Sequence, residues 1–573
     1  MSNRSEGEIA EMKEIEAVEK REVELRSVSS LAKVFPDEEL REPREGEGTA
    51  LWGERFSFQI AYRSERRSRP YYAEIKVLSE ELNGSISVRQ VGLAPSELPG
   101  YADSDEHVLR MTPGLYPDPL YPIGLSGKLK LFPHQWRSLW IEITVEAGVR
   151  PGAHTVGIEF VSDEGSIVGQ ESFILNVVPA VLPDQELIHT EWFHADCLAT
   201  QYRTEVFGER HWELIEAYVK TAALHGINMI LTPLFTPPLD TQIGGERPTV
   251  QLVDVTRTDG IYSFGFERLK RWIDMLDRNG IAYIEFSHFF TQWGAKHAPK
   301  IVVTEDGVAS SSFGWHTDAA GEPYGRFLDE FLPALLDFVQ ANGLEKRCFF
   351  HVSDEPQEEH LDSYRTASER VRKHVNSYPI IDALSDYRFY EKGLVSHPIP
   401  SNDHVDIFLD AGVTNLWTYY CCAQYKDVTN RFFHMPSARS RILGFQLYKF
   451  DLSGFLHWGY NFWYSQYSLD SVNPYEITDA GGAFPSGDAF LVYPGENGPI
   501  ESVRLKVLFE ALQDLRALRL LEKLAGRDKA LRLLEEQLDE PLTFKTYPRQ
   551  AQWLLSKRNR INEAIRQLVK GND

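Results

Sequence analysis

RCFFHVSDEP, residues 347–356, runs a short apolar segment straight into two adjacent carboxylates and a proline. The segment is apolar on both faces, as parallel strands covered by helices are. The acidic QEEH that follows Pro356 suits a first helical turn, where negative charge meets the helix dipole. The same strand-then-helix rhythm extends in both directions. Strands are predicted near 187–194, 227–232, 281–288, 347–353, 379–384, 405–409, 415–421 and 454–462, with helices over 211–225, 265–279, 324–341, 357–376 and 437–449. Eight such units predict a (β/α)8 TIM-like barrel over residues 183–523, with its chemistry at the carboxyl ends of the strands.

Upstream, the period changes to two. WIEITV (140–145) alternates Ile141, Ile143 and Val145 with Trp140, Glu142 and Thr144. FSFQIAYRS (56–64), YYAEIKVL (71–78), SISVRQV (85–91), HTVGIEFV (154–161) and SFILNVV (172–178) repeat the pattern between turn-rich stretches. Short strands with little helix between them predict an antiparallel β-sandwich over 46–182. Ile9, Met12, Ile15 and Val18 recur at steps of three in a Glu/Lys/Arg-rich stretch, so residues 1–45 are expected to form a charged helical arm, which could lie on the barrel or mediate a homodimer. Leu and Ala at helical spacing predict C-terminal helices, with 524–573 as an extension beyond the barrel.

Composition narrows the function. The 573 residues carry 60 Lys plus Arg against 84 Asp plus Glu, a net charge of −24, which argues against a nucleic-acid partner. No apolar run reaches the roughly 18 residues of a membrane span, so no membrane insertion is expected. Cys197, Cys348, Cys421 and Cys422 form neither a disulfide framework nor a zinc knuckle. With an N-terminus that lacks an apolar signal core, this gives the expectation of a cytoplasmic protein. No metal and no cofactor is expected: HExxH, Walker A, GxGxxG and GxSxG are all missing from the sequence.

Asp354 and Glu355 are the candidate catalytic pair. At a strand end the pleat is lost, and neighbouring side chains can turn into one pocket. Two carboxylates held so close repel, and burial raises the pKa of at least one, which leaves an acid beside a base. The same Asp-Glu-Pro is also an ordinary helix cap. Aromatic residues weigh for a sugar site: Trp417 and Tyr419 on the seventh strand, Trp458 and Tyr460 on the eighth, and Trp463 just beyond. Rings of this kind also serve as plain core packing. His194 and His288 each end a predicted strand and are candidate pocket residues; His351 reads as a core or hydrogen-bonding histidine, and Glu191 and Glu285 as buried ion-pair members.

The order of these pieces resembles glycoside hydrolase family 123 and its related barrel-type β-N-acetylgalactosaminidases. The resemblance is carried by RFSFQIAY (55–62), YPDPLYP (116–122), LWIEITVEAGVRPGAHTVGIEF (139–160), HVSDEP (351–356), LWTYYC (416–421), RILGFQLYKFDLSGFLHWGYNFW (441–463) and SGDAFLVYPG (486–495). Tyr420 and Phe445 depart from the family pattern, which has a small polar residue and a Trp there. The resemblance implies a retaining, substrate-assisted exo-β-N-acetylgalactosaminidase acting on a terminal β-GalNAc of an oligosaccharide or glycolipid glycan. Another β-N-acetylhexosaminidase, GlcNAc-preferring or endo-acting, and a non-catalytic sugar-binding protein on the same fold are the alternatives. It further implies that Asp354 orients the 2-acetamido group, that Glu355 is the acid and then the base, that Tyr419 meets the acetamido carbonyl, and that Trp417, Trp458 and Tyr460 wall the pocket.

Overall fold

A computed structural model describes residues 22–65, 68–124 and 127–570. The protein is multidomain, with a β-rich N-terminal region followed by a second domain built on parallel strands. Two five-stranded sheets form the first part. One runs Val23–Ser29, Glu54–Ser64, Arg137–Val145, Ile86–Ser96, Gly114–Pro122 in space; the other runs Glu47–Trp52, Ile167–Val181, Gly152–Ser162, Tyr71–Leu78, Lys128–Leu131. Their inner faces interleave Phe58, Ile60, Ile141, Ile143, Ile158 and Phe173 in one core. Two expectations need correction. Pairing is antiparallel except between Ile167–Val181 and Glu47–Trp52, which run parallel. The helical arm is not helical where it is described: Val23–Ser29 is a strand paired with Glu54–Ser64, which buries Val23, Leu25 and Val28. The sandwich therefore begins at Val23; residues 1–21 lie outside the described residues.

In the second domain six parallel strands make one sheet, in the order Cys348–Phe349, Tyr283–Phe286, Met229–Thr232, Ile188–Glu191, Gly454–His457, Trp417–Tyr419. Ile381–Ala383 and His397–Ile399 pair with each other, also parallel. Parallel bridges Phe350–Ile380 and Ser401–Tyr419 join that pair to the two ends of the sheet, so the strand order returns to its start. Amphipathic helices cover the outside. Glu267–Arg278 is typical: Leu269, Trp272, Ile273 and Leu276 face the core, with an acidic first turn and a basic last turn. The sixth predicted strand is misplaced. Val405–Asp410 is a helix, and His397–Ile399 takes the strand position.

The two parts are joined through buried charge. Arg504 makes a bidentate pair with Asp118 at 2.9 Å, and Lys506 reaches Glu142 at 2.9 Å. Both cations lie on the helix Val503–Ala525, which Ser502 caps by accepting from the Leu505 N–H at 3.1 Å. The C-terminal helix Ala551–Lys570 packs on the sandwich as well, where Arg558 bonds Glu54 and Asn562 bonds Thr49, each at 2.9 Å. Among the described residues no helix is long and apolar enough to cross a membrane.

Candidate active site

At the carboxyl ends of the parallel strands lies a pocket of ≈ 240 Å³, with Asp354 and Glu355 half-buried in its wall. Backbone and side-chain bonds lock this strand end. Ser353 Oγ donates to the Thr291 carbonyl at 2.8 Å, the Trp293 N–H to the Asp354 carbonyl at 3.0 Å, and the Glu355 N–H to the Ala383 carbonyl at 3.1 Å. Glu355 has φ +43, although it is not glycine and stands before Pro356. Such a backbone stores about 1–3 kcal/mol and persists only where its surroundings over-determine it. The pair is not a helix cap. Gln357 caps the turn Glu358–His360, which leads into the helix Leu361–Val375.

Burial pushes both carboxyls up, and the neighbouring Glu355 charge lifts Asp354 further, to well above the usual carboxylate range. Two such groups titrate as a pair, and the proton that leaves second is held above the ordinary carboxylate range. Tyr419 opposes this at one end: its hydroxyl donates to Glu355 Oε1 at 2.7 Å and favours the ionised form.

A buried ion cluster lies under the pair. His351 Nε2–H donates to Glu285 Oε1 at 2.6 Å and Nδ1–H to Asp382 Oδ1 at 3.1 Å, and these bonds hold the imidazole charged, with its pKa raised to about 9. Glu285 also accepts from Trp192 Nε1 at 2.7 Å and from Thr190; Asp382 accepts from Tyr364 and, at 3.0 Å, from the Val352 N–H. Trp192 lines the pocket, so the cluster fixes one wall and the Asp354 strand together. His288, His351 and Asp382 offer ligand atoms within 4.8 Å of one another, but a doubly donating imidazolium has no lone pair for a metal.

Five of the nine anticipated residues meet in the pocket: Asp354, Glu355, Tyr419, Trp458 and His194. Trp458 Nε1 donates to Asp488 at 3.0 Å. His194 is buried between Arg247 and the Trp458 carbonyl, and desolvation and the arginine push it down to about 3, so it is neutral. The other four lie elsewhere. Trp417 packs with Met229, Leu231, Ile381 and Ile399 inside the ring of strands. Tyr460 turns outward and donates to the Tyr218 carbonyl at 3.0 Å, and Trp463 is buried against Tyr218. His288 is fully buried, stacked on His351 with centroids 4.1 Å apart. The departures Tyr420 and Phe445 are core residues too and do not touch the pocket. Glu191 and Glu285 are buried ion-pair members, with Arg431 and His351.

Trp417 carries a prediction. It is the register partner of Gly454, and a Cβ on that glycine would fall within the indole ring. Gly454→Ala should therefore cost about 1–3 kcal/mol of stability by overpacking. Chemical unfolding checks this; an unchanged midpoint would mean the ring packs otherwise.

Sequence reasoning missed the loop residues that complete the pocket: Trp192, Asp240, Gln292, Trp293, Tyr467 and Phe484. Trp293 and Tyr467 stand edge to face at the rim, centroids 5.9 Å apart, each 39% exposed. Asp240 accepts the Tyr467 N–H at 3.0 Å, and burial pushes its carboxyl up to about 6. Asp240, Trp293 and Tyr467 all have positive φ, which no spacing rule signals.

Residues 192–521 match the family described as glycoside hydrolase 123, catalytic domain. A family 123 glycoside hydrolase from Clostridium perfringens, studied for glycolipid glycan hydrolysis, superposes with a TM-score of 0.72 at 16% identity over 96% of this chain and 99% of that one. Weaker likenesses include a β-glucuronidase from Bacteroides uniformis (TM-score 0.29, 10% identity, 83% of this chain and 49% of that one) and a family 5 mannosidase from Rhizomucor miehei (TM-score 0.31, 13% identity, 57% and 93%). No curated protein matches the sequence.

Proposed function

The chain belongs to the glycoside hydrolase 123 family, and we propose that this glycoside hydrolase is a retaining exo-β-N-acetylgalactosaminidase that uses the 2-acetamido group of its substrate as nucleophile. We read its eight parallel strands as a (β/α)8 barrel. One observation carries the mechanism: two adjacent carboxyls share one pocket wall, and a tyrosine hydroxyl is bonded to the second. Retaining enzymes that use a carboxylate nucleophile place it across the sugar from the acid, about 5 Å away; substrate-assisted families do not need that second position. Adjacent carboxyls suit the latter, because neither has to reach the far face of the ring.

In this mechanism the acetamido N–H donates to Asp354. That bond favours the ionised form of Asp354, and Glu355, raised by burial, holds the proton of the pair. Glu355 then protonates the leaving oxygen as the acetamido carbonyl attacks C1, and the oxazolinium forms. In the second half Glu355 takes a proton from the incoming water. Tyr419 is placed to pass its hydroxyl from Glu355 to the acetamido carbonyl. Trp192 and Trp458 supply apolar ring faces. The Clostridium perfringens relative is described as acting on glycolipid glycans, which supports a glycolipid glycan as the substrate class; the terminal β-GalNAc is our reading of the acetamido mechanism.

Turnover of aryl β-N-acetylgalactosaminide against aryl β-galactoside tests the reading. The first should be cleaved and the second left intact, and rapid cleavage of the galactoside would remove the acetamido role. The paired carboxyls also predict a pH profile. Because both are raised, the limb of kcat/KM that reports loss of the acid's proton should lie above the ordinary carboxylate range. Asp354→Asn deletes the neighbouring charge and should move that alkaline limb to lower pH; a limb that stays put would place the controlling proton elsewhere.

A further inference from the structure

Cys421 and Cys422 both line the catalytic pocket, just beyond the strand Trp417–Tyr419. Cys421 is anchored on three sides. Its N–H and its thiol both donate to Gln424 Oε1, at 3.0 and 3.2 Å, and its carbonyl accepts from Asn430 Nδ2 at 2.8 Å. Cys422 follows it directly and lines the same pocket, which Glu355 also lines. All four cysteines are free, but Cys197 and Cys348 are buried in the core, whereas Cys421 and Cys422 are partly exposed.

We propose that Cys421 and Cys422 form a chelating site for a thiophilic trivalent arsenical, and that its occupation blocks the catalytic pocket. Neighbouring thiols are a soft donor set. With an organic arsenic(III) oxide, two As–S bonds form while the two thiol protons leave with the arsenic oxygen as one water. No atom changes oxidation state, and the adduct adds no charge next to Glu355. Oxidation of the pair to a disulfide is disfavoured by geometry: consecutive Cα atoms stand about 3.8 Å apart, closer than the roughly 4.4–6.8 Å a disulfide usually spans, whereas one arsenic atom bridges two sulfurs that are not bonded to each other. The arsenic would sit in the wall two residues from Tyr419, where the sugar has to lie.

Phenylarsine oxide and the full chain test the proposal by intact mass, which does not depend on the functional reading. The wild type should gain one phenylarsine oxide less one water, keep it in a monothiol wash, and release it to 2,3-dimercaptopropanol. Cys421→Ser and Cys422→Ser, each verified as folded by circular dichroism, should need about 10²-fold more reagent for half-occupancy, because the second bond is no longer intramolecular. Absence of the wild-type adduct, or half-occupancy of either variant at the reagent concentration that half-fills the wild type, overturns the chelating site. Turnover of aryl β-N-acetylgalactosaminide by the adduct tests the block, and unchanged turnover overturns it. A wild type that fails to turn over before treatment refutes the functional reading instead, and the mass result still decides the chelation.

Discussion

Glu355→Gln should lower kcat/KM for a natural glycan by about 10²–10⁴-fold, the usual range for loss of general acid–base help. The effect should be smaller on an aryl glycoside whose leaving group departs without a proton. The difference arises because the wild-type pocket makes Glu355 an acid in three ways. Burial raises its pKa, the adjacent Asp354 titrates with it, and the Ala383 carbonyl fixes its strained backbone through the N–H. Gln keeps the volume and can still meet Tyr419, but it cannot give up a proton. Parallel assays on a β-GalNAc-terminated trisaccharide and an activated aryl glycoside check this. Equal losses on the two would assign the acid role to another group.

His351→Gln should destabilise the protein by about 3–5 kcal/mol, the scale for leaving one partner of a buried ion pair alone. Glu285 and Asp382 are both fully buried, and the imidazolium is the cation between them. The pH dependence follows from its raised pKa. The folded state holds a proton on His351 up to about pH 9, whereas an unfolded histidine releases it near 6.5. The pairing thus stabilises fully below pH 6.5, and its contribution is lost as pH rises through 9. Denaturant titrations across that window should show a wild-type advantage that narrows as pH climbs. A constant difference, or none, would mean the histidine is neutral. Trp192 hangs on Glu285, so the same substitution should also loosen that pocket wall and raise KM.

The carboxylate pair could be read from the chain because RCFFHVSDEP keeps its signal local: an apolar strand, its end and the acid residues lie within ten positions. The helices were legible for the same reason, since periodicity is a property of one segment. The errors fall where a segment's partner decides its state. VDIFL alternates like a strand, yet the short HPI at 397–399 takes the ladder position and leaves Val405–Asp410 to form a helix. VELRSVS sits in a charged stretch that reads as helical, and pairing with Glu54–Ser64 makes it a strand. Trp417 and Tyr419 share a face of one strand. Only depth separates them: Trp417 packs in the interior over Gly454, and Tyr419 reaches the pocket. Tyr460 and Trp463 lie past the end of Gly454–His457, where alternation no longer holds. Asp240, Trp293 and Tyr467 come from three loops far apart in sequence, and their meeting is a product of the folded chain.

The stereochemistry of the first product tests the central claim most directly. Proton NMR during early turnover of an aryl β-N-acetylgalactosaminide by wild-type enzyme should show the β-anomer of N-acetylgalactosamine appearing first, with the α-anomer following only by mutarotation. Initial release of the α-anomer would mean single inversion by water, and the adjacent pair Asp354–Glu355 would then not be working through the substrate's own acetamido group.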